Sequence, residues 1–294
     1  MTEAAATPTG SIVMTGASTG IGEACALELD RRGFRVFAGV RREADGERLR
    51  ARGSDRLTPV RIDVTDGASI AAASQTVAST VGEAGLSGLV NNAGICVAGP
   101  LELLPLAELR KQFEVNVFGP IAVTQALLPL LRRGRGRIVN VSSISGRVAC
   151  PYLGPYAASK YALEAMSDSL RVETRKSGVS ISIVEPGSVD TPIWQKSREA
   201  CDRLRARLSE EAGRADAWAH YAPDVEAMHA ATAGMGRRGM PVERVVRAVV
   251  HALCARRPRT RYPVGAGIGA TIFLLKFLPD RLRDALVRRA MGLP

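Results

Sequence analysis

Thr15-Gly16-Ala17-Ser18-Thr19-Gly20-Ile21-Gly22 closes a short apolar run, residues 11–15, and opens a helical pattern over residues 22–32. In that pattern Ala24, Leu27 and Leu29 are apolar, while Glu23, Glu28 and Arg31 are charged. A strand, a glycine-rich turn and a helix in this order have a direct physical use. The first glycine permits a tight turn and the later ones let backbone approach a pyrophosphate. The unpaired N–H groups at the helix start attract an anion. The spacing is GxxxGxG rather than the more familiar GxGxxG. The turn alone is therefore a weak signal, and its strand-to-helix setting is what strengthens it. Gly33 then ends the helix, where a left-handed terminal residue is common.

The rhythm repeats outward from this turn. Strands are expected over residues 35–40, 60–64, 89–91, 137–142 and 179–185, the last with Val179, Ile181 and Ile183 alternating. Helices are expected over 68–81, 106–131 and 156–177. Alternating strands and helices need crossover connections. The fold class is therefore α/β, a doubly wound Rossmann-type parallel sheet with helices on both faces. Residues 193–240 break the rhythm with a polar helical stretch rich in Arg, Glu and Ala. They read as a helical substrate-lid insertion over the carboxyl edge of the sheet. Pro241 opens one more helix, 242–255. No repeat or linker divides the chain, so residues 10–294 are expected to form one domain after a flexible polar tail, 1–9.

The chain has 294 residues, is 46% hydrophobic and carries a net charge of +11. The basic residues are spread along it, which fits a solvated Arg-rich surface; an anionic membrane or nucleic-acid surface is the other reading. Five scattered cysteines form no CxxC pair, and three scattered histidines add no metal-ligand spacing, so no metal site is expected. No signal segment is apparent, and a reducing, cytoplasmic setting fits. No stretch looks long enough to span a bilayer. The nearest, 264–275, ends at Lys276 and is followed by Arg281, Arg283, Arg288 and Arg289. This part of the C-terminal segment 262–294 reads as a buried final strand with a surface helix. The alternative is a peripheral membrane contact.

Tyr156 and Lys160 are four residues apart on an expected helix and so share a face. A tyrosine titrates near about 10, and an adjacent ammonium favours its phenolate. Such a pair can exchange a proton with an alcohol. Ser143 ends the 137–142 strand, from where its hydroxyl can hold a substrate oxygen beside Tyr156.

Taken with TGASTGIG at 15–22, Asp63-Val64, Asn91-Asn92-Ala93-Gly94, Asn116 and Pro186-Gly187 with Thr191, these residues make the chain resemble the short-chain dehydrogenases/reductases of single-domain type. The likeness covers nearly the whole chain. Softer phrases, Val36-Phe37-Ala38-Gly39-Val40-Arg41 and Leu278-Pro279-Asp280-Arg281, resemble the retinol and hydroxysteroid dehydrogenase branch. The resemblance implies that Tyr156 is the acid or base, and that Ser143 binds the substrate oxygen. It implies that Lys160 lowers the Tyr156 pKa and holds the nicotinamide ribose, and that Asn116 anchors a relay water. It further implies cofactor contacts from Gly16, Ser18, Thr19, Gly20, Ile21, Gly22, Asp63, Val64, Asn91, Ala93, Gly94, Pro186, Gly187, Val189 and Thr191. Relatives preferring NAD(H) carry an acidic residue where this chain has Val40, followed by Arg41 and Arg42. A guanidinium suits a 2′-phosphate. NADP(H) is therefore the expected cofactor, with NAD(H) as the alternative.

Substrate contacts are expected from Ser143, Tyr156, Cys150 and Trp194, in a cleft lined by Val97, Ala149, Tyr152, Leu153 and the apolar residues of the insertion. Few charges lie near the reacting atom, which suits a small lipophilic alcohol or ketone. The family likeness also implies a homo-oligomer, with Phe113, Val117 and Leu128 on a second apolar helix face. A regulatory or nucleic-acid-binding protein on the same scaffold is the alternative reading. Such proteins typically lose the Tyr or the Lys, and both are present here.

Overall fold

β-Branched and apolar runs form seven strands: β1 Ser11–Met14, β2 Arg35–Val40, β3 Leu57–Arg61, β4 Gly88–Asn91, β5 Arg137–Val141, β6 Ser180–Pro186 and β7 Arg261–Val264. In the computed structural model, which describes residues 10–210, 214–237 and 239–293, they pair in the order β3-β2-β1-β4-β5-β6-β7. Every pairing is parallel. The tail expected over 1–9 lies outside the described residues. The helices are α1 Gly20–Arg31, α2 Glu43–Arg50, α3 Gly67–Val81, α4 Leu106–Phe113, α5 Gly119–Arg133, α6 Gly154–Glu173, α7 Ile193–Ser209, α8 Arg214–Arg237, α9 Glu243–Cys254, α10 Ile268–Phe277 and α11 Asp280–Ala290.

Successive strand residues face opposite sides of a sheet, and β1 shows how this builds two cores. Ile12 and Met14 pack with Cys25 and Leu29 of α1 and with Val245 and Val249 of α9. Val13 faces the other way, against Val77 of α3 and Val123, Leu127 and Leu131 of α5. A third cluster lies over the carboxyl edge. There Cys201, Leu204 and Leu208 of α7 and Trp218 of α8 meet Leu103, Leu153 and Tyr156. Described parts of α7 and α8 thus pack against Leu103, Leu153 and Tyr156. The strand order reverses direction at β1 and β4, and a doubly wound sheet opens its binding crevice at that point.

Several boundaries differ from expectation. β3 ends at Arg61, and residues 62–64 leave the sheet because Asp63 Oδ1 accepts from the Thr65 amide at 3.0 Å, a turn chemistry that competes with strand pairing. The 106–131 helix is a run of three pieces, α4, a π-helical turn at Glu114–Phe118, and α5. Contrary to expectation, this run is long and apolar enough to cross a membrane. Val123, Leu127 and Leu131 nevertheless pack against the sheet, which makes it a core helix. The last strand takes in only Val264 of the 264–275 run; the rest leads into α10, where Phe273 is 68% and Phe277, two residues past the run, 67% exposed. Of the residues expected on a second apolar face, Val117 is buried, whereas Phe113 and Leu128 are half-buried; Leu106 and Phe118 are the exposed apolar residues there.

Candidate active site

At Gly16 and Gly22 the glycine turn leaves no room for a Cβ. A Cβ on Gly16 would lie 2.8 Å from the Ala93 Cα, and one on Gly22 would overlap the Gly16 carbonyl oxygen. The Asn92 side-chain amide donates to the Thr15 and Gly16 carbonyls at 3.1 and 3.0 Å, locking the turn after β1 to the turn after β4. Thr19, the N-cap of α1, makes no side-chain cap bond, so the first N–H groups of that helix stay available to an anion.

From this turn a cleft of about 670 Å³ runs across the strand ends. Its walls contain Gly16, Ser18, Thr19, Gly20, Ile21, Arg41, Asp63, Val64, Ala93 and Gly94. Ser143, Tyr156, Lys160, Pro186, Gly187, Val189, Thr191 and Trp194 line the same cleft, with Thr191 directly beside Gly20. Its length and its open helix N-terminus fit a dinucleotide. Asp63 is held below its ordinary pKa by the Thr65 hydrogen bonds and by the Arg41 and Arg61 charges, so it is ionised.

At the inner end, Tyr156 is 6% exposed and shares the cleft wall with Ser143, whose side chain eases ionisation of the phenol. Trp194 meets its ring edge-on at 6.4 Å. Lys160 Nζ lies 5.8 Å from the ring centroid and donates to the Val141 carbonyl at 2.9 Å. Burial draws Lys160 down to about 8, against the opposing pull of Glu164 and Cys96. Burial also pushes Tyr156 above its ordinary range, with only the Ser143 side chain acting the other way. The depression of Tyr156 expected from Lys160 is absent among the protein groups alone. The ammonium faces the ring and a carbonyl rather than the phenol oxygen.

Five of the expected residues stand away from the cleft wall. Gly22 lies beneath the turn. Arg42 turns outward and pairs with Asp45 at 2.9 Å, because the start of α2 brings that carboxylate within reach. Asn91 points into the sheet's far side, donating to Thr124 Oγ1 at 3.0 Å and Asn140 Oδ1 at 2.9 Å. Cys150 packs at the edge of the lid cluster. Asn116 is 1% exposed, accepts from the Ile95 amide at 2.9 Å and donates to Ser159 Oγ at 3.2 Å.

Sequence reading missed the partner of Asn116. Gln112, one helical turn earlier and fully buried, accepts from the Val97 amide at 2.6 Å and donates to the Ile95 carbonyl at 2.9 Å. The signal was two amide side chains four apart in an apolar helix. It also missed Arg48, whose Nη2 donates to the Ser18 carbonyl at 2.6 Å and so steadies the glycine turn from α2.

The fold, the cleft and its tyrosine–lysine–serine end define a nicotinamide-dependent oxidoreductase. The short chain dehydrogenase family model matches residues 11–202, and the chain belongs to that family, acting on CH–OH groups. It is 40% identical over 283 residues to human retinol dehydrogenase 16, covering 94% of this chain and 87% of that one. It is also 40% identical over 290 residues to human 17-beta-hydroxysteroid dehydrogenase type 6, covering 96% and 89%. Among solved structures, a short chain dehydrogenase from Burkholderia cenocepacia in complex with NADP superposes with a TM-score of 0.70 at 26% identity, over 97% of this chain and 98% of that one. A Burkholderia phymatum relative in complex with NAD gives 0.76 at 25% identity, over 92% and 94%.

Proposed function

We propose that this protein moves a hydride between NADP(H) and a lipophilic secondary alcohol or ketone of retinoid, steroid or similar lipid type, with Tyr156 exchanging the proton. The observation that carries this reading is the buried Tyr156 lining one cleft with Ser143 and packing in the apolar lid cluster, with Lys160 behind its ring. A bound nicotinamide supplies the hydride acceptor in oxidation and the donor in reduction. In reduction, Ser143 holds the carbonyl oxygen and Tyr156, kept protonated by burial, donates its proton to the forming alkoxide. In oxidation the same oxygen accepts the alcohol proton, and the Lys160 charge favours that phenolate. Asn116 and Gln112 hold the 95–97 loop on the opposite wall.

The apolar neighbours Val97, Ile193 and Trp194 suit a hydrophobic body. The names of the relatives, retinol and 17-beta-hydroxysteroid dehydrogenases, point the same way. Residues 10–294 act as one domain, with 193–240 as its lid. Arg41 marks the adenosine end: it lines the cleft, and no ion pair engages it among the described residues, whereas Arg42 is spent on Asp45. This favours NADP(H) over NAD(H) through Arg41 alone.

The C-terminal helices extend the lipid reading to location. α10 starts beside the Pro186-Gly187 turn, with Ile268 Cδ1 2.8 Å from where a Gly187 Cβ would sit. Beyond it Phe273, Leu274 and Phe277 are exposed, flanked by Lys276, Arg281, Arg288 and Arg289. An exposed apolar face rimmed by cations suits an anionic bilayer surface.

Replacing Tyr156 by Phe keeps the ring and removes the titrating oxygen. Turnover should fall by at least about 100-fold while cofactor affinity, measured by fluorescence titration, is retained; near-normal turnover would end the assignment. Arg41→Ala should weaken NADPH about 10- to 100-fold, the loss of one charge-assisted contact, and leave NADH little changed. Equal losses for both would refute the preference. Anionic vesicles at low salt should carry the protein down on sedimentation. Protein left in the supernatant would rule out the membrane contact.

A further inference from the structure

Directly behind the reacting face lies a charged cluster that the proposed chemistry does not use. Glu164 follows Lys160 by one helical turn on α6, and Glu185 sits in β6 immediately before Pro186-Gly187. Their exposures are 5% and 2%. Arg261, the first residue of β7, brings Nη2 to 3.1 Å from Glu164 Oε2 and Nε to 3.3 Å from Glu185 Oε1. Arg147, just beyond the turn that begins at Ser143, stands 3.8 and 3.7 Å from the same two oxygens. The cluster therefore joins the Ser143 turn, the helix of Tyr156 and Lys160, the strand leading to Pro186-Gly187, and the edge strand.

With both carboxylates ionised, its hydrogen bonding does not close. Glu164 Oε1 and Glu185 Oε1 are both buried, and neither accepts a hydrogen bond. A buried acceptor without a donor is costly. One proton between them cures this, because a carboxylic acid donates and its neighbour accepts. It also relieves the repulsion of two buried like charges. Burial and the Glu164 charge push Glu185 up to about 7, against the pull of Arg147 and Arg261.

Lys160 lies on the other side of Glu164 and responds to its charge. The second group acting on it, the Cys96 thiol, is pushed up to about 12 by burial and is therefore neutral. Asp168, further along α6, is bound to Arg261 at 2.7 Å and Arg171 at 2.6 Å. On the α4 side Glu108 pairs with Lys111 at 3.6 Å, and Glu114 is exposed. On α9, packed against β6, Glu243, Arg244, Arg247 and His251 are all exposed.

We propose that Glu164 and Glu185 are positioning residues that share one proton and, by releasing it as the solution turns alkaline, keep Lys160 charged through the range that favours alcohol oxidation. The inference rests on the reading above, in which the Lys160 ammonium supports the Tyr156 phenolate. The sign is direct. While the proton is held, the pair carries one negative charge; once it leaves, two negative charges oppose deprotonation of Lys160.

Two measurements on the full chain test the pair separately from the catalytic reading. Infrared titration of the protein without substrate should show a protonated carboxylic-acid band that disappears near pH 7, and Glu185→Gln should abolish it. The pH profile of kcat is then read with NADP+ and a 17β-hydroxysteroid, a lipophilic secondary alcohol. In Glu185→Gln the alkaline limb should move to lower pH by roughly 1 unit, the effect of one neighbouring charge. Glu185→Asp should restore the wild-type limb. If Glu185→Gln does not fold, Glu164→Gln makes the same comparison. A band that survives in the Gln variant, or an unmoved alkaline limb, overturns the proposal. A wild-type protein that shows the titrating band but no turnover overturns the catalytic reading and upholds the shared proton.

Discussion

No side chain fits between the turn after β1 and the turn after β4, and the functional geometry is built on that contact. Gly16 meets the Ala93 backbone, Gly22 tucks under Gly16, and Asn92 hydrogen-bonds both carbonyls of the first turn. The two strands therefore end level, at the place where the sheet's winding reverses. The open N-terminus of α1 faces into the crevice that results. A larger residue at either glycine would separate the strands and remove the floor on which the dinucleotide and the reacting groups are aligned.

The opposite wall depends on buried polar groups rather than close backbone. Gln112 and Asn116 take both the N–H and the C=O of Ile95 and the N–H of Val97, while Ser159, one position before Lys160, bonds Asn116. This ties a loop, a helix with a π-helical turn, and the helix of Tyr156 into one unit. Such a network is strong because every partner is satisfied in a region with little water. Two polar layers thus flank Tyr156 and Lys160, one in front holding the loop and one behind made of Glu164, Glu185, Arg147 and Arg261. Between them, burial keeps the tyrosine protonated and the lysine only weakly basic, so modest charge changes nearby control the pair.

The order of strands and helices was legible because period-2 and period-3.6 patterns are local. The Tyr156–Lys160 spacing was legible because one helical turn joins its ends. Other parts depend on partners distant in sequence. Arg41 and Arg42 look equivalent in the chain, and only the start of α2 reveals that Asp45 claims one of them. The family likeness implies that Asn91 supports both the sheet and the cofactor, but only the fold reveals Thr124 and Asn140, from α5 and β5, as the partners of its amide. The end of β3 was set by an aspartate turn rather than by apolar pattern. The apolar run after residue 264 carried no sign of which face would be covered, and the fold leaves Phe273 and Phe277 in the open. Glu164 of α6 and Glu185 of β6 meet through Arg261 and Arg147, and neither segment carries a signature of that meeting.

The proposed chemistry is hydride transfer between a nicotinamide cofactor and a lipophilic alcohol or carbonyl compound in this cleft, and the carbonyl direction is the simpler one to follow. The most direct test is to show NADPH binding by calorimetry, add a panel of retinoid and steroid carbonyl compounds, and follow the cofactor's absorbance. The account predicts cofactor consumption with at least one member of the panel, in proportion to enzyme and faster with NADPH than with NADH. A protein that binds NADPH but consumes none of it with any lipophilic carbonyl compound would contradict the account.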